Sequence, residues 1–112
     1  MRARLYPHKD ALPQTTYWLV VAICADYDRR AAALRKNELA QDTAAKFRRL
    51  NEAVDSALEC IEDAEWRTYL MQDIIHKRGY AWSQLSPFVA KNTYYKRKRL
   101  VAYRIAQSLN LI

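Results

Sequence analysis

One glycine, Gly79, serves the whole 112-residue chain, together with three prolines, Pro7, Pro13 and Pro87. Hairpins and barrels need a left-handed or pre-bent residue at nearly every turn, so this chain cannot string many strands together. Hydrophobic residues make up 51% and charged residues 28%, enough apolar surface for a core and too much for disorder as the main state. The length suits one domain, residues 1–112. The expectation is an all-α domain of about five helices.

Residues 1–14 hold two of the prolines and no periodicity, and read as an arm. Thr15 or Thr16 then caps a helix whose apolar residues recur at Tyr17, Val20, Cys24, Tyr27, Ala31 and Leu34, ending near Asn37 to Ala40. Asp42 caps a second helix with the face Phe47, Leu50, Val54, Ala57 and Ile61. The short link makes residues 15–62 an antiparallel helix pair. Asp63 opens a third helix with Trp66, Tyr69, Leu70, Ile74 and Met71 inward, and Lys77-Arg78-Gly79 stops it: cations in the last turn, then a glycine for the left-handed cap. Trp82-Ser83 begins a short fourth helix to about Val89, burying Leu85 and Phe88, with Pro87 awkwardly inside it. After a break at Ala90-Lys91-Asn92, capped by Asn92 or Thr93, a last helix runs to about Leu109. Its apolar centre is Tyr94, Val101, Ala102, Ile105 and Leu109, with Lys98 on the same side. Thr93, Lys96, Arg99, Leu100 and Tyr103 lie opposite, with Arg97 on a flank.

Charge is distributed along the chain in a way that bears on function. From His76 to Ile112 there are eight Lys/Arg and no acid, whereas the first 75 residues hold the other eleven bases and all twelve acids, a net of −1 within the total of +7. A one-signed field attracts a polyanion. A solvated helix face would instead mix signs to gain pairs at i and i+4. A membrane-surface helix would need a broad apolar face, and the last helix offers Ala102, Ala106 and Lys98 there, so no membrane partner is expected. The basic run beginning near Arg2 and the apolar run Tyr17 to Ala25 imitate a signal peptide. That run is too short to span a bilayer, and Ile23 is too large beside Cys24 for lipoprotein cleavage. Cys24 and Cys60 have neither C-x-x-C spacing nor a histidine at ligand distance, which suggests reduced thiols in a cytoplasmic protein without metal or cofactor.

Catalysis finds little footing. One glycine cannot build a phosphate loop, and neither H-E-x-x-H nor G-x-S-x-G occurs. His8 lies in the arm, His76 beside two cations, and Glu59, Glu62, Asp63 and Glu65 flank a helix boundary where acids favour the dipole. No enzyme is expected. The arrangement that stands out is a short helix, a break and a long basic helix within residues 63–112, the order of a helix-turn-helix. On that reading Asn92, Thr93, Lys96 and Arg99 meet base edges or the groove, and Lys91, Arg97, Lys98 and Arg104 neutralise phosphates of double-stranded DNA.

Trp66 to Ile112 resembles phage transcriptional regulators of the ArpU and RinA type. The residues that carry the likeness are Tyr69-Leu70, Gly79, Trp82-Ser83, Asn92-Thr93-Tyr94-Tyr95 with the basic run Lys96 to Arg99, and the ending Ile105-Ala106-Gln107-Ser108-Leu109. The resemblance implies a helix-turn-helix like sigma-factor region 4 and a role in regulating phage genes, with RNA polymerase as a further partner. Two positions depart from that pattern: Pro87 stands inside the short helix, and Lys98 stands where such recognition helices usually bury an aliphatic. Two neighbouring readings share the basic helix: a small terminase subunit that recognises phage DNA for packaging, and an adaptor docking an acidic surface of RNA polymerase without touching DNA. The first helix is apolar nearly all round at Tyr17 to Tyr27, with Trp18, Leu19, Val21 and Ile23 beyond its inner stripe. This predicts a two-fold contact and a homodimer, unless Trp66 and Tyr69 cover that surface.

Overall fold

The computed structural model describes residues 12–76 and 91–112, apart from the side chain of Lys91. The described residues form five α-helices and no strand, so the protein is all-α. Helix α1 (Gln14–Ala25) follows Pro13, whose fixed φ of −55° starts it and whose carbonyl accepts from Tyr17 N at 2.9 Å. A missing N–H costs nothing at a helix start. Thr15 and Thr16 therefore lie within the first turn, and neither caps the helix as predicted.

The single helix predicted from Tyr17 to the Asn37 region is two. The ladder breaks at Asp26 (φ −100°, ψ 8°), and α2 (Tyr27–Lys36) ends on Asn37 in the left-handed region, φ 56°. The break is held by a buried polar cluster. Arg30 is only 3% exposed, and its guanidinium donates to the Ile23 carbonyl at 2.5 Å and to Asn51 Oδ1 at 2.7 Å. Asn51 Nδ2 in turn donates to the Tyr27 carbonyl at 3.3 Å. The carbonyls around the break thus gain side-chain partners inside the protein, where an unpaired one would be costly.

Helix α3 (Gln41–Glu59) begins after Ala40, with Asp42 in its first turn rather than at its cap. Val54, Ala57 and Ile61 are buried as the spacing predicts, and Phe47 and Leu50 are half-buried. Lys46, Arg48, Arg49, Glu52, Asp55 and Glu59 face solvent. Helices α2 and α3 are antiparallel: Tyr27 pairs with Asp55, and Arg30, further along α2, with the earlier Asn51. Asp63 caps α4 (Ala64–Ile74), its Oδ1 accepting from Glu65 N at 2.9 Å and Trp66 N at 3.4 Å. Leu70 is buried, Trp66, Tyr69 and Ile74 are half-buried, and Met71 is exposed. The stop at Lys77-Arg78-Gly79, and the short helix expected from Trp82-Ser83 to Val89, lie outside the described residues.

Helix α5 (Lys91–Ser108) starts at Lys91, so Asn92 and Thr93 sit in its first turn and are not its caps. Its end is closed by Asn110 at φ 59°: Leu111 N donates to the Ala106 carbonyl at 2.8 Å and Asn110 N to the Gln107 carbonyl at 3.2 Å. This is the left-handed cap that glycine usually supplies, with asparagine in its place. Tyr94, Val101, Ala102, Ile105, Ala106 and Leu109 turn into a core shared with Val20 and Cys24 of α1, Ala53, Val54 and Ala57 of α3, and Leu70 of α4. Helix α5 is therefore packed across α1 and α3 on one side, while Lys96, Arg97, Arg99 and Arg104 are exposed away from that core.

Candidate nucleic-acid interface

A helix repeats its face every three to four residues, so the burial of Tyr94, Val101, Ile105 and Leu109 dictates which side chains point away. Asn92, Thr93, Lys96, Arg97, Arg99 and Arg104 are all exposed. Lys91 opens the helix. Arg99 borders a groove with Gln14 and Trp18 of α1, while Arg104 borders a shallow depression with Ser56 and Cys60 at the far end of α3. These two arginines stand on opposite flanks of α5, with Lys96 between them. Among the described residues, none of Lys96, Arg97, Arg99 and Arg104 is ion-paired with a carboxylate.

Lys98 behaves differently, and its assignment to a phosphate is corrected accordingly. Its side chain is 21% exposed and its Nζ lies 3.1 Å from Oδ1 of Asp73, itself 5% exposed. The Tyr94 hydroxyl donates to the other oxygen of the same carboxylate. Both groups satisfy a charge that would be expensive to bury alone, and Lys98 is committed to holding α5 on α4. Burial first, and the bond to Asp73 second, push the Tyr94 hydroxyl well above its ordinary pKa. The helical wheel places Lys98 on the apolar side of its helix. The missing clue was a facing acid: Asp73 lies three residues after Leu70 and so on the inner face of α4.

Arg97 is exposed yet positioned. Its guanidinium lies 4.8 Å from the centre of the Trp66 ring, and Trp66 stacks on Tyr94 at 6.2 Å and 28°. A guanidinium lying on an aromatic face keeps its N–H edge available to an anion. Trp66 is thus spent on α5, and the side of α4 that approaches α1 carries Asp73 and Ile74, which line a cavity with Tyr17, Val20 and Cys24. Burial drives the Cys24 thiol up to about 12, so it is inert at neutral pH.

The arrangement presents a one-signed, unpaired set of cations along one helix, with an amide and a hydroxyl at its first turn. Chemically that set can neutralise phosphates and donate hydrogen bonds to base edges. His76 is turned to Asp28 at 3.4 Å. No cluster of His, Cys, Asp or Glu that could hold a metal occurs among the described residues, and none of the described helices is long and apolar enough to cross a membrane. Family models, curated proteins and solved structures were all compared with the chain, and none matches.

Proposed function

We propose that the protein is a sequence-specific regulator of transcription that binds double-stranded DNA through α5. In this reading it is phage- or prophage-encoded, cytoplasmic and not an enzyme, and it reads DNA as a helix-turn-helix of the sigma region 4 kind. The observation that carries the reading is the division of α5's cations. Among the described side chains, the inward Lys98 has a carboxylate partner, and the outward Lys96, Arg97, Arg99 and Arg104 have no ion pair, on a helix that holds no acid. Unpaired like charges repel one another, so a fold gains nothing from gathering them. A polyanion does.

Asn92, Thr93, Lys96 and Arg99 are assigned to the groove, and Lys91, Arg97 and Arg104 to phosphates. Lys98 is reassigned to the core. Two chains per site belong to the proposal, because paired half-sites require two such helices. The test is a gel shift across genomic fragments neighbouring the protein's own gene, repeated over a range of salt. Retention of one fragment over the others is expected, with affinity falling at a log–log slope of about −5 for roughly six phosphate contacts, about three from each of two chains. A flat salt response would overturn the reading. Binding to RNA polymerase with no affinity for DNA would replace it by the adaptor.

A further inference from the structure

The groove between α1 and α5 combines two chemistries that neither helix offers alone. Gln14, Tyr17 and Trp18 of α1 meet Tyr95, Lys98 and Arg99 of α5 around a volume of about 390 Å³, within the roughly 300–1,000 Å³ of small-ligand sites. Trp18 is the most exposed large hydrophobic side chain among the described residues, at 58%. Tyr17 stands beside it at 5.8 Å and 70°, and the face of Tyr95 carries the Lys98 ammonium at 5.7 Å. Trp18 is therefore the ring with surface to offer. Lys98 is matched by Asp73, whereas Arg99 is exposed and has no ion pair among the described residues. A flat apolar face and an unmatched guanidinium thus share one groove with the Gln14 amide, which both donates and accepts.

We infer that this groove holds one unpaired nucleobase, with its ring on Trp18 and its edge on Arg99 and Gln14. The inference rests on the DNA reading of α5 and adds the state of a base that Arg99 reads. Charge and shape together select the occupant. A nucleobase is a flat ring attached to phosphates, and the exposed cations of the same helix match those phosphates. A paired base within a duplex stack hides both faces, so a base must stand out of the stack for Trp18 to reach one. Guanine suits Arg99 best, because its O6 and N7 accept both arms of a guanidinium. The chain's own segments have the wrong sign: residues 1–11 hold Arg2, Arg4 and Lys9 against Asp10 alone, and a second copy brings a net +7. An acidic segment of another protein would answer Arg99 and leave the Trp18 ring unused.

The test uses the full chain and one DNA sequence in three forms: a fully paired duplex, the same duplex with a bulged guanine, and the same with a bulged thymine. Gel shift and tryptophan fluorescence are read together. The guanine bulge should bind more tightly than the paired duplex, with thymine between them, and should quench emission in the wild type but not in Trp18→Ala. That variant should bind the guanine bulge about five- to 150-fold more weakly, the range for losing one stacked base, and the paired duplex as before. Its circular dichroism should be unchanged, because the side chain is exposed. Arg99→Ala should erase the difference between guanine and thymine, whereas Arg104→Ala, on the opposite flank, should weaken all three forms alike. Equal binding of paired and bulged duplexes, or a guanine preference that survives Trp18→Ala, would overturn the inference and leave the duplex reading standing. Bulge binding that needs Trp18, without affinity for the paired duplex, would support the groove and overturn the duplex reading. Polyglutamate that quenches Trp18 where bulged DNA does not would give the groove to an acidic protein and overturn the inference.

Discussion

The α2–α3 pair and helix α5 both carry many charges, yet use them in opposite ways. In the pair both signs are mixed along the exposed faces, and the charges nearest the break between α1 and α2 are answered within the fold. Asp26 takes Arg29 in a two-point contact at 2.7 and 2.5 Å, Tyr27 donates to Asp55 at 2.7 Å, and Arg30 is buried on Asn51. The Arg29 hydrogen bonds hold the Asp26 carboxyl below its usual range. Among the described side chains of α5, Lys98 is the cation answered by a carboxylate, and that carboxylate comes from another helix. The contrast separates charge that builds the molecule from charge left over for something outside it.

The sharpest way to break this contrast is to remove the acid under α5. Asp73→Ala leaves Lys98 and the Tyr94 hydroxyl without their acceptor in a buried site, and should destabilise the protein by about 3 to 5 kcal/mol. Replacing both members of the pair, Asp73→Leu with Lys98→Met, should recover most of that loss. Urea denaturation midpoints measure both. A neutral Asp73→Ala would mean that Lys98 swings out to solvent, placing it with the outward cations after all.

The corresponding cut in the pair is Arg30→Met, which strands the Ile23 carbonyl and Asn51 Oδ1. Its expected cost is about 2 to 3 kcal/mol. Arg29→Ala, one residue away but largely exposed, should change stability little. If both variants unfold at the wild-type urea concentration, the buried cluster does not hold the break between α1 and α2.

These two sites also mark where sequence reasoning stops. Periodicity and caps are local, which is why the inward face of α5, the stripe Val54, Ala57, Ile61 and the Asp63 cap could be read from the chain alone. Arg30 looks like any solvated arginine until Asn51, 21 residues on, is brought to it. Lys98 looks like one more basic residue until Asp73 arrives from α4. Asn110 takes a glycine's conformation, and no composition rule marks that asparagine above the others. For the interface, the outward placement of Thr93, Lys96 and Arg99, with Arg97 on a flank, follows from the helical wheel, whereas Leu100 and Tyr103 on that same side are half-buried. The positioning of Arg97 by Trp66 does not follow from the wheel, because it depends on how α4 crosses α5.

Outward substitutions on α5 should sharpen the contrast by leaving the fold alone. Lys96→Ala, Arg99→Ala and Arg104→Ala should each shift stability by no more than about 0.5 kcal/mol. Their effect belongs in DNA binding. Loss of Lys96 or Arg99 should relax sequence preference by about 1 to 3 kcal/mol, while loss of Lys91 or Arg104 should weaken all sequences alike. Competition between specific and random duplexes reads the difference. If all four alanines weaken both duplexes equally, the groove-facing side is assigned wrongly.

The smallest effect compares two tyrosines that donate to carboxylates, Tyr27 at the surface of the pair and Tyr94 under α5. The bond to Asp55, then burial, raises the Tyr27 hydroxyl to about 12 from an ordinary value of 10.0. A folded-state value above the unfolded one means that folding favours the protonated form. The contribution is therefore complete below pH 10 and fades as pH rises towards 12. Tyr27→Phe should cost about 0.5 to 1 kcal/mol at neutral pH, and its difference from the wild type should close over that alkaline window. Tyr94→Phe should cost more, because it leaves a buried Asp73 oxygen without its donor, and burial keeps that tyrosine protonated to still higher pH. Ultraviolet difference titration of the wild type and the two variants separates the tyrosines. If Tyr27 titrates at the ordinary value, its bond to Asp55 does not persist in solution, and the pair's surface charges are less committed to the fold than the contrast with α5 requires.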